Sequence, residues 1–147
     1  MPSVVALAVG GVVAGSVYYL LKQMNNSLAD LDKDNETILI IKDNIKHKRY
    51  VASKLKQQLK VAHDHAFNTW VNLKASAQKI SRAVDQVIQA IKSGAYRGKQ
   101  LKNLKATRKK LIAEQKKATF IKRQAHSKWD KLRDDYLSAK RQLNALY

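Results

Sequence analysis

Between residues 31 and 87 every seventh residue is apolar: Leu31, Ile38, Ile45, Ala52, Leu59, Ala66, Leu73, Ile80 and Val87. A helix turns once in about 3.6 residues, so this spacing keeps all of them on one slowly drifting stripe. No glycine or proline interrupts the run. The spacing therefore predicts one long coiled-coil helix over residues 31–93, starting near 28 and roughly 95 Å long. Such a helix must pack along its stripe. Its companion positions shift along the way. Ile41, Leu55 and Ala62 follow the stripe by three residues, while Trp70, Ala77, Val84 and Ile91 follow it by four. Ala52, Ala62 and Ala66 are small for a two-stranded coiled coil. They leave room for a close helix or for a bulky residue such as Trp129.

A second series runs Leu104, Leu111, Ala118, Ala125, Leu132, Ala139 and Leu146, with Trp129, Tyr136 and Leu143 offset by four. It predicts a second, strongly basic helix over 99–147. Between the two patterns lies Ser93–Gly98 (SGAYRG), with Gly94 at a C-cap position. The segment 94–98 reads as a hairpin turn. The alternative is a continuous helix, since Gly94 to Leu104 is a spacing of seven plus three. The packing residues on which this antiparallel coiled-coil hairpin rests are Leu31, Ile38, Ile45, Leu59, Leu73, Ile80, Val87, Leu104, Leu111, Trp129 and Leu132. Trp129, Tyr136 and Tyr147 also offer an aromatic docking site, although a core role for the first two is favoured.

The N-terminal pattern differs. Residues 1–21 carry no charged side chain, and Val4–Leu21 is apolar apart from Ser16 and the tyrosine hydroxyls. Eighteen residues make roughly 27 Å of helix, close to a bilayer core of about 30 Å. Tyr18, Tyr19 and Lys22 suit its interfacial end. The stretch reads as a transmembrane helix. A cleaved signal peptide fits less well, because no basic n-region precedes the apolar run. A buried helix or fusogenic segment is the third reading. Gly11 and Gly15 form a GxxxG that permits close helix packing in lipid. Residues 22–30 read as a polar linker, broken at Asn25-Asn26-Ser27, although the first helix could also run straight through. The fold class expected is all-α: an N-terminal membrane helix followed by the hairpin.

Charge adds a partner class. The chain has 29 basic and 11 acidic residues, a net charge of +18. Such an excess attracts something anionic and says nothing about fold. The densest cluster is Lys99, Lys102, Lys105, Arg108, Lys109, Lys110, Lys116 and Lys117, opposed only by Glu114. These residues are the candidate contacts to an anionic partner: nonspecific nucleic acid or another anionic surface, an acidic protein included. A lysine-rich face can equally be plain solvated surface. Because almost all the cations follow the apolar stretch, the positive-inside rule would place the C-terminal body in the cytoplasm or matrix.

Chemistry is sparse. The chain has no cysteine, so thiolate chemistry and disulfides are excluded. His63 and His65 do not share a helical face, and no metal site or other cofactor is expected. No phosphate loop, zinc-protease motif or serine elbow is present. Asp134-Asp135 and Asp32-x-Asp34 read as solvated surface. The sequence thus points away from an enzyme. It points to a membrane-anchored structural or scaffold subunit of a larger membrane or virion assembly, for example in the mitochondrial inner membrane. Other subunits, or copies of itself, are its expected partners. The alternative is a nucleic-acid-associated basic helical protein, such as a virion component contacting the genome or a ribosome tether.

Overall fold

The computed structural model describes residues 13–47 and 52–145, and all of its regular structure is α-helical. Among the described residues there are three helices: α1 (Val13–Lys46), α2 (Ala52–Lys92) and α3 (Gly98–Asn144). They form two compact units, and each unit contains one segment of each helix. The first comprises residues 13–25 and 74–122; the second comprises 26–47, 52–73 and 123–145. Each unit is a three-helix packing around its own apolar seam.

This corrects the expected fold in two places. The first is the membrane helix. Residues 1–12 of the apolar stretch, Gly11 among them, lie outside the described residues. Among those described, no helix is long and apolar enough to cross a membrane. The end of the stretch instead opens α1, which continues through Asn25-Asn26-Ser27 without a break. Val17 is 1% exposed and Met24 is fully buried. Both stand at seven-residue steps before Leu31, so the stripe begins two heptads earlier than the segment 31–87 suggests. Of the residues assigned to an anchor and a linker, 13–30 are part of α1: 13–25 belong to the first unit and 26–30 to the second. The single-pass topology, the mitochondrial-membrane or virion placement and the membrane-anchored scaffold role fall with the anchor.

The second correction is the number of helices after residue 28. The expected single helix over 31–93 is divided: α1 ends at Lys46 and α2 starts at Ala52. In the second unit the two lie side by side, with Asp34 of α1 bonded to His65 of α2. The chain has therefore reversed between Ile45 and Ala52, whose seven-residue spacing hides the reversal. The helix ends carry Lys46, Lys92 and Arg141 in their last turns, where cations complement the macrodipole.

The chain turns again between α2 and α3. Ser93 donates from its hydroxyl to the Ala90 carbonyl at 2.6 Å, and the Ala95 amide donates back to the Ser93 Oγ at 3.3 Å. Gly94 adopts φ 70° and Gly98 φ 61°. That left-handed region favours glycine, and here it ends one helix and begins the next. Tyr96 is buried in the turn.

Contacts in the second unit fix the helix directions. His63, Phe67 and Trp70 of α2 meet Tyr136, Trp129 and His126 of α3, so α2 and α3 are antiparallel. Asp32 and Lys42 of α1 pair with Lys128 and Asp135 of α3, so those two helices are parallel. Ala62 and Ala66 of α2 are buried in this unit. The Trp129 ring lies beside their sequence neighbours His63 and Phe67, with ring centroids 5.5 and 5.7 Å apart.

Candidate interaction surface

All eleven packing residues named from the sequence are buried: seven on α1 and α2, and Leu104, Leu111, Trp129 and Leu132 on α3. Gly15 falls in the first turn of α1, and Tyr147 lies outside the described residues. Tyr136 is half-buried and stacks on His63 at 4.1 Å, so the aromatic cluster belongs to the seam of the second unit.

The eight basic residues singled out from the sequence fall together on the first half of α3, in the first unit. Arg108 is half-buried and the other seven are exposed. One of the eight has a carboxylate partner among the described residues: Lys117, 3.6 Å from Glu114. Over residues 13–25 and 74–122 there are fifteen basic and two acidic side chains, a balance of +13. The first turn of α3 holds Lys99 and no acid, and a cation there opposes the helix dipole. Lysines spaced three and four residues apart repel one another by some tenths of a kcal/mol per pair. Among the described residues none of the eight clustered cations forms an ion pair to another helix. One inter-helix polar contact in the first unit is Gln115 donating to the Ser81 hydroxyl at 3.1 Å.

The second unit uses its charges differently. Lys128 Nζ lies 2.6 Å from Asp32, Lys42 Nζ 3.4 Å from Asp135, and His65 Nδ1 2.6 Å from Asp34. Each joins two helices. The hydrogen bond that His65 donates to Asp34, reinforced by the charges of Asp34 and Asp30, raises the His65 pKa above 6.5 against a smaller opposing effect of burial. These ties are invisible in the sequence, because their partners stand 31, 93 and 96 residues apart. Asp32, Asp34 and Asp135 had read as solvated surface; the fold makes them cross-helix anchors. His63 and His65 do point to different neighbours, Tyr136 of α3 and Asp34 of α1.

The second unit also carries an open groove of ≈ 690 Å³ between α1 and α2, floored by Ile41 and Ala62 and flanked by Ile40 and Val61. Among the described residues no group of three His, Asp or Glu is placed to hold a metal. A zinc-built nucleic-acid module is therefore not present in them, and the genome-contacting or ribosome-tethering alternative has no structural motif to carry it.

Comparison with family models, with curated proteins and with solved structures finds no match to this chain.

Proposed function

We propose that the chain is a non-catalytic helical interaction module that docks on an anionic partner through the basic half of α3. The observation that carries this is the cluster Lys99–Lys117, in which eight cations share one carboxylate. Charge kept on the surface and not tied to another helix is available for association, where it raises the on-rate and selects the partner. Asp32, Asp34, Asp135 and His65, residues of the acid–base type, are engaged between helices. This supports a binding role and gives no support to a catalytic one.

Binding of polyglutamate by the whole chain tests the proposal. Association at low salt should weaken steeply as salt rises. The triple variant K105E/K109E/K116E should abolish it, and K54E/K60E, on the exposed face of α2 in the other unit, should leave most of it. Equal losses in both variants, or no binding at low salt, would sink the proposal.

A further inference from the structure

We propose that α3 from Lys102 to Phe120 is a docking stripe for an acidic α-helix of a partner protein, with Phe120 as its apolar anchor. This rests on the basic-surface reading above and names its occupant. A helix advances 100° per residue, so Lys102, Lys105, Lys109, Lys116 and Phe120 fall within roughly 60° of one another. All five are exposed. They lie away from Leu104, Leu111 and Ala118, which are buried in the first unit. Phe120 is a full aromatic ring with 61% of its surface exposed. Among the described residues none of the four lysines has an ion-pair partner; Glu114, the carboxylate on this part of α3, turns to Lys117.

The spacing of the stripe selects its occupant. Steps of three, four and seven residues over about 27 Å present one straight line of ammonium groups. A second helix with carboxylates at the same steps presents a matching line. An apolar side chain near its end would meet Phe120, giving a desolvated anchor with a charged rim. Nucleic acid suits the stripe less well. Seven of the eight clustered cations are lysines, compact point charges without the arginine fork that grips phosphate in two places. Single-stranded binders also stack successive bases on several aromatics, and this stripe has one.

The test uses the whole chain and four probes followed by fluorescence anisotropy at low salt. Two are helical peptides with glutamates at three- and four-residue steps, one with leucine and one with serine opposite Phe120. The others are polyglutamate and polyuridine RNA. The leucine peptide should bind about tenfold more tightly than the serine peptide. F120S should erase that difference, keep the helical circular dichroism, and leave polyglutamate binding unchanged. A leucine preference that survives F120S overturns the anchor. Tighter binding of polyuridine than of the leucine peptide overturns the choice of partner. Failure of polyglutamate to bind at all overturns the basic-surface reading itself, and with it the stripe.

Discussion

The same three helices build two units in different ways. The first, residues 13–25 and 74–122, has fifteen basic and two acidic side chains. The second, counted over 26–47, 52–73 and 123–145, has twelve and nine. In the second, carboxylates reach across to neighbouring helices at Asp32, Asp34 and Asp135, and aromatic rings fill the α2–α3 seam. In the first, the buried residues are mostly aliphatic, with Val17, Met24, Ile80, Val87, Leu104 and Leu111, and Tyr96 is buried beside the turn. Burial of apolar surface is non-directional, so it can hold the first unit without help from charge. Directional ties set register in the second. The clustered cations of α3, which form no ion pair to another helix among the described residues, face outward where a partner can meet them.

The largest effects should come from the two seams. Trp129→Ala removes the ring that lies against His63 and Phe67 and should cost about 3–5 kcal/mol. Ile80→Ala, at a fully buried position of the first unit, should cost about 2–5 kcal/mol. Urea unfolding monitored by circular dichroism measures both. Hydrogen exchange sharpens the comparison: each variant should loosen amides in its own unit first. Uniform loosening throughout would mean that the two units do not open separately.

Much of this seam is legible in the sequence. Eight of the nine residues of the first stripe are buried, with Ala52 half-buried, and Leu104 to Ala139 are buried to the last member described. A seven-residue spacing records which face is covered, but it does not record by what. The chain reversal after Lys46 leaves the spacing from Ile45 to Ala52 intact and uses no glycine or proline, so periodicity alone cannot see it. The turn at Gly94 was legible because a left-handed residue has its own composition. The N-terminal error has another cause. An uncharged run of membrane length satisfied a simpler explanation than the seven-residue series through Val17 and Met24. The basic cluster can be read directly; that only Lys117 of it meets a carboxylate among the described residues cannot, since that depends on where distant carboxylates go.

Two smaller perturbations address those carboxylates. Asp135→Asn removes the charge facing Lys42 in a partly buried pair and should cost about 1 kcal/mol. One oxygen of Asp135 is buried without a hydrogen-bond partner, so the loss stays near the low end for a charged contact. Salt should act on the two units in opposite directions. Screening weakens attraction in the second unit and repulsion in the first. Raising it should speed amide exchange in residues 26–46 and slow it in 98–122. The same sign in both segments would erase the electrostatic distinction drawn here.

The smallest effect is a pH dependence confined to the second unit. The Asp34 hydrogen bond raises the His65 pKa in the folded chain above the ordinary 6.5. Protonated His65 therefore stabilises the fold below about pH 6.5, and this contribution is lost as pH rises through the higher folded value. Its size is small, because the His65 side chain is 58% exposed and solvent screens the pair; a few tenths of a kcal/mol is the expected scale. The difference in stability between the unaltered protein and Asp34→Asn isolates the contribution of this pair. That difference should be widest near pH 5 and close by about pH 8. A gap that stays constant across this range would mean that Asp34 contributes through packing and neutral hydrogen bonding, and the second unit would lose one of its three charged ties.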